Sequence, residues 1–206
     1  MIDLATLPKE IAILVQHGLR DLGLYQGSTR GLPGPKTEAA FQEFLASRAG
    51  GSGSSFAEHL AAIAESQIGV REKGNNGGED VRKFQRATWL DLGPWAWCAA
   101  FVCWCYREAL KRGDDPGFKR PRTAGAWDFE RWARDQGANL LKPPGPARRG
   151  DIIIFTFSHI GVCVLDQKGS RIETVEGNTN PGGGREGDGV YRKTRESDKV
   201  RSLIRF

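Results

Sequence analysis

Apolar positions along the chain follow two rhythms, and the change falls near residue 150. Ile11, Leu14, Val15, Leu19 and Leu22 recur at helical spacing. A Gly/Pro-rich stretch, GSTRGLPGP, follows, and a short second helix carries Ala40, Phe41 and Phe44. SRAGGSGSS, residues 47–55, has the composition of a flexible linker. Ser55-x-x-Glu58 is a capping-box signature opening a helix through Phe56, Leu60, Ile63, Ala64 and Gln67. The polar loop KGNNGGED leads into a helix predicted over 81–88. Pro94 then ends a loop, and WAWCAAFVCWCYREAL reads as a helix from Trp97 to Leu110. A further amphipathic helix, 124–136, is expected to bury Trp127 and Trp132.

After Gly150 the texture is that of strands. GDIIIFTF, HIGVCVLD and RIETVE are β-branched runs, the last two joined by a short turn at 167–170, and GVYRKTR and VRSLIRF supply two more. Helices first and an antiparallel sheet afterwards is an α+β arrangement. The expected plan is a helical module over 1–46, a linker over 47–55 and a larger domain over 56–206.

Composition narrows the partners. A hydrophobic content of 39%, with six Trp and ten Phe, supports a real core and excludes wholesale disorder. The net charge of +5 favours polyanions, acidic wall polymers among them. Lys and Arg are scattered, with no block resembling a nucleic-acid arm. No run approaches the roughly 18 apolar residues of a membrane span. The N-terminus lacks a basic region, and Pro8, Lys9 and Glu10 interrupt its apolar character, so no ordinary signal peptide is expected. Synthesis in the cytoplasm with delivery by another route follows as the expectation.

The four cysteines stand at 98, 103, 105 and 163. Three of them lie on one predicted helix with C-x4-C-x-C spacing, and the chain has only three histidines, which argues against a zinc knuckle. Cysteines two or seven apart on one helix do not bring their Cβ atoms within bonding distance. Free thiols are therefore expected, with Cys103 and Cys105 packed as small hydrophobes. Cys98 differs because it falls in the first turn, where unpaired N–H groups and the helix dipole favour an anion.

A nucleophilic thiol needs a base. His17 and His59 read as surface residues, whereas His159 opens the strand HIGVCV. Cys163 is not its partner, because four residues along a strand separate them by about 13 Å. An even-length hairpin turn pairs His159 with either Asn178 or Glu176, and strict alternation then places both on the His159 face. A bulge at Gly169 would break that parity.

PWAWCAAFV, GDIIIF, SHIGVCV and VEGNTN, in this order, resemble a CHAP domain, a cysteine, histidine-dependent amidohydrolase/peptidase of the papain-like clan. The similarity extends upstream to AESQIGVREKGNN and covers about 56–206. It implies a papain-like α+β fold and hydrolysis of an amide bond in bacterial peptidoglycan. By position it implies Cys98 as nucleophile, His159 as general base and then acid, and Glu176 as the group orienting His159. Asn178 is implied to assist by holding the imidazole or polarising the site. Trp95 and Trp97 are candidates to line a substrate groove, with buried packing the equal alternative for one of them, and Asn75 is a candidate second oxyanion donor. VQHGLRDLGLYQG followed by GLPGPKTEAAFQEF resembles the helical peptidoglycan-binding module of wall hydrolases, departing from it where Arg30 replaces the usual Asp. Calcium-binding relatives carry an acidic loop ahead of the nucleophile. GNNGGED offers only Glu79 and Asp80, so no metal or other cofactor is expected. The expected partner is bacterial peptidoglycan, met by a monomer, with neither nucleic acid nor stable membrane insertion involved.

Overall fold

The computed structural model describes residues 4–21, 24–42, 55–113, 115–142, 145–184 and 186–206. The chain divides into two compact units, 1–52 and 53–206. Residues 47–54 of the linker lie outside the described residues, as do Leu22 and Phe44.

In the first unit α1 (Lys9–Asp21) and α2 (35–42) enclose a small core of Leu19, Tyr25 and Ala40. Ile11 and Leu14, apolar and at core spacing, are instead exposed. What ties the Gly/Pro-rich turn to α1 is a buried amide. Gln16 Nε2 donates to the Leu32 carbonyl and to Thr37 Oγ1, both at 3.1 Å, and Gln16 Oε1 accepts the Gly31 N–H at 3.0 Å. Gly31 has φ +75° and sits against α1, where a Cβ would collide with the Lys9 carbonyl.

The second unit is α+β. Its helices are α3 (Ser55–Ser66), α4 (Glu79–Gln85), α5 (Cys98–Leu110) and α6 (Asp128–Gln136). Its strands are β1 (Asn139–Leu141), β2 (Ile152–Phe155), β3 (Ile160–Cys163), β4 (Arg171–Thr179), β5 (Gly189–Glu196) and β6 (Val200–Arg205). They form one antiparallel sheet in the order β1-β6-β2-β3-β4-β5. The short β1 is an element that the hydrophobic pattern does not predict. Period-2 alternation sends Ile152, Ile154, Val162, Val175 and Ile204 toward the helices, and Ile153, Cys163, Ile172 and Leu203 to the other face.

α5 is the central helix. Cys98 through Cys103, Cys105, Tyr106 and Ala109 are all buried, as expected for a helix apolar on nearly every side. Phe101 and Trp97 pack on Phe84 of α4, with centroids 5.3 and 5.5 Å apart. Each fully buried aromatic of this kind contributes roughly 1.5–3 kcal/mol relative to exposure. α6 starts later than the sequence pattern suggests, because 124–127 form a turn closed by the Thr123 and Asp128 side chains. Trp127, expected to be buried, is 44% exposed, and Trp132 is partly buried. Among the described residues no helix is long and apolar enough to cross a membrane.

Candidate active site

Cys98 is the first residue of α5 and is nearly fully buried. The first intrahelical bond runs from the Phe101 N–H to the Trp97 carbonyl at 2.9 Å. The N–H groups of the preceding turn therefore lie free of the helix ladder, at its positive end. β2 and β3 are joined by a tight turn, closed by the Phe155 N–H donating to the His159 carbonyl at 2.9 Å, with Ser158 at φ +55°. This turn stacks three rings. Phe155, Phe157 and His159 lie near parallel and in mutual contact, with centroids 5.1 Å apart for Phe155–Phe157, 5.9 Å for Phe157–His159 and 6.2 Å for Phe155–His159. The imidazole is thereby fixed in plane.

β3 pairs with β4 through Val162–Val175 and Cys163–Thr174. Carried onward, this is the register of the four-residue turn, with Gly161 opposite Glu176. Gly161 makes room for that carboxylate, since a Cβ there would sit 2.7 Å from Glu176 Cγ. Glu176 Oε2 lies 3.0 Å from His159 Nε2, and both side chains are wholly buried. The approach is an ion pair rather than an aligned hydrogen bond, because the ring N–H is directed off the oxygen. With Nε2 against Glu176, Nδ1 is the nitrogen left for the Cys98 sulfur.

The charges are set by these contacts. Burial pulls the His159 pKa down, but the Cys98 and Glu176 side chains outweigh it and hold the imidazole at about 9. Burial likewise pushes Glu176 up, and the Arg195 and His159 cations reverse this, down to about 2. An imidazolium facing a carboxylate is the resting state over most of the pH range. Around it the other thiols are inert. Burial raises Cys103 and Cys105 far above the ordinary thiol range and pushes Cys163 up to about 12. Cys103 donates to the Thr123 carbonyl and Cys163 to the Leu165 carbonyl.

Three sequence-predicted residues take other places. Alternation predicts Asn178 on the His159 face, but β4 bulges. Its register with β5 shifts between Glu176 and Thr179, and Asn178 stands at φ +56°. The bulge turns the amide toward α5, where Oδ1 accepts the Trp97 N–H at 3.0 Å. Its Nδ2 donates to Asn76 Oδ1 and to the Gly187 carbonyl, each at 3.0 Å. Asn178 thus anchors the backbone just ahead of Cys98 and leaves the imidazole to Glu176. Gly177 between them is where strand meets helix, since a Cβ would sit 2.7 Å from Phe101 and 2.8 Å from Trp97.

Trp97 lines no groove. It is fully buried, stacked on Phe84, with Nε1 donating to Glu72 Oε2 at 3.2 Å. Trp95 is half-buried, its Nε1 donating to the Asp91 carbonyl at 2.9 Å. Asn75 is exposed and meets its neighbour Asn76, which is the residue bonded into the site. Glu79 and Asp80 open α4 and pair with Arg86 at 2.6 Å and Lys83 at 3.3 Å. Among the described residues no group of three or more His, Cys, Asp or Glu could hold a metal ion.

Two residues at the site escape the sequence reading. Thr174 Oγ1 donates to Glu176 Oε1 at 2.6 Å, and Arg195 grips both carboxylate oxygens. The alternation of β4 would have found Thr174. Arg195 required the β4–β5 register, which sets Ile172 opposite Arg195 and Glu176 opposite Tyr191.

A cysteine at the first turn of a buried helix, a strand-borne histidine and a carboxylate on an antiparallel sheet together define a papain-like α+β fold. Residues 90–178 match the CHAP domain family, a span that holds Cys98, His159, Glu176 and Asn178. That match implies a cysteine- and histidine-dependent amidohydrolase or peptidase acting on the cell wall. No curated protein matches the chain.

Proposed function

We propose that the chain is a peptidoglycan hydrolase, an endolysin-like lytic enzyme that cuts an amide bond of the bacterial wall through the Cys98 thiol. The observation that carries this reading is the buried His159–Glu176 pair at 3.0 Å, set against a thiol at a helix N-terminus. The Cys98 thiolate attacks the substrate carbonyl, and the tetrahedral oxyanion rests on the Cys98 N–H. His159, charged through Nδ1, donates its proton to the leaving amine, and a thioester forms on Cys98. Water then attacks the thioester as neutral His159 takes its proton, releasing the acid and restoring the Cys98 thiolate beside the imidazolium. The Glu176 charge, 3.0 Å from Nε2, favours the proton on that nitrogen throughout. Asn178 seats the start of α5.

The net charge of +5 suits a protein that works on an acidic wall polymer. Digestion of purified peptidoglycan, read by mass spectrometry for the newly exposed amine, tests the proposal. A new L-Ala amine marks an amidase, and a new amine within the stem or cross-bridge marks an endopeptidase. Release of neither, with turnover of a small soluble amide, would reassign the substrate. Inertness toward both would make the chain a wall-binding or tail-structural protein that keeps the fold.

A further inference from the structure

Arg195 on β5 reaches the same Glu176 carboxylate as His159 and shares its Oε2. Its Nε donates to Oε1 at 2.9 Å, its Nη2 donates to Oε2, and its Nη1 donates to the Gly183 carbonyl at 2.9 Å. The guanidinium carbon lies 5.5 Å from the Phe155 centroid and 5.2 Å from that of Phe157, rings of the same stack that fixes the imidazole. The side chain is 13% exposed. A bidentate pair with a third bond and an aromatic wall holds the guanidinium in one orientation.

We propose that Arg195 is a positioning residue, holding the Glu176 carboxylate ionised and aimed at His159 Nε2 while the imidazole is neutral. The proposal rests on the reading of Cys98, His159 and Glu176 as the working set. In acylation the imidazolium itself keeps its carboxylate neighbour charged. Once His159 has given its proton to the leaving amine, that support is gone. Glu176 is then a wholly buried carboxylate facing a neutral ring and the Thr174 hydroxyl, the setting in which carboxylates take up a proton. A protonated Glu176 offers Nε2 a donor in place of a negative charge. The remaining ring proton then moves to Nδ1, the nitrogen that must accept a proton from water. Thioester hydrolysis would stop at that tautomer. The Arg195 guanidinium, bonded to both carboxylate oxygens, carries Glu176 through the neutral half of the cycle. Lys193, on the same face of β5, is no substitute, since it donates to the Asn180 and Pro181 carbonyls at 3.2 and 2.7 Å.

The test compares Arg195→Met, which removes the charge, with Arg195→Lys, which keeps it, on soluble fragments of a wall that the wild type digests. Arg195→Met is expected to lower kcat about 100-fold. KM should fall alongside, so that kcat/KM is largely spared, and a Cys98 thioester should accumulate in acid-quenched samples. Arg195→Lys should recover most of kcat. Equal losses of kcat and kcat/KM in both variants without thioester would overturn the proposal, as would a wild-type rate in Arg195→Met. Should Arg195→Met fail to fold, Arg195→Gln takes its place, keeping donors without charge, with the same outcomes. An inert wild type or an active Cys98→Ala variant overturns the catalytic reading itself. A live wild type with unaffected Arg195 variants overturns the role of Arg195 alone.

Discussion

Cys98→Ala is expected to abolish wall hydrolysis, a loss of at least about 10⁴-fold in kcat, while the protein stays folded. The size of the effect follows from the absence of a substitute nucleophile. Cys103, Cys105 and Cys163 are wholly buried, and burial keeps their protons in place. Single alanine substitutions at those positions should leave a digesting enzyme, with the loss confined to stability. Turbidity clearing of purified wall, with circular dichroism as the control for folding, measures both.

Glu176→Gln is expected to lower kcat/KM by about 10²–10⁴-fold, because an amide can present its N–H side to Nε2 and favour the wrong tautomer. Its pH profile carries a second signature. His159 is held at about 9, burial pulling it down and the Cys98 and Glu176 side chains raising it further than that. Acylation needs the imidazolium, so the wild-type rate should fall as pH rises through about 9. Removing the carboxylate removes one of the raising causes, and the alkaline limb should move to lower pH. Stability shifts in the same sense. The raised His159 contributes stability that is fully present below its unfolded value of 6.5 and lost as pH rises through about 9. The depressed Glu176 contributes stability present above 4.5 and lost as pH falls toward about 2. The wild type is thus supported by the pair between those limits, and Glu176→Gln is not. Rates measured from pH 5 to 10 should show the limb displaced; an unmoved limb would mean that Glu176 does not act on His159.

Cys98, His159 and Glu176 are the site candidates legible in the sequence. Cys98 announced itself by falling at a helix start, and the alternation of β3 and β4 brought Glu176 onto the His159 side. The same alternation misplaced Asn178, because a one-residue bulge is a backbone event that period-2 counting does not contain. Trp97 takes the packing alternative rather than the groove. An aromatic beside a nucleophile suggests a groove, but the approach of Gly177 to α5 closes that space and leaves the indole in the core. Arg195 is hidden from the sequence, since Arg192, Lys193 and Arg195 all lie on one strand and its pairing with β4 excludes only Arg192 from the Glu176 face, leaving the side-chain bonds to select Arg195 over Lys193. Trp127 is the converse case, an aromatic at amphipathic spacing that ends up exposed, with its Nε1 bonded to the Phe155 carbonyl at 3.0 Å.

The central claim is that one thiol of four is a nucleophile. Brief treatment of the native protein with iodoacetamide near neutral pH, followed by peptide mapping, addresses it without any assumption about substrate. The account predicts one adduct, on Cys98, formed rapidly and slowed in His159→Ala. Labelling spread over Cys103, Cys105 and Cys163, or a Cys98 rate no different from that in His159→Ala, would contradict it.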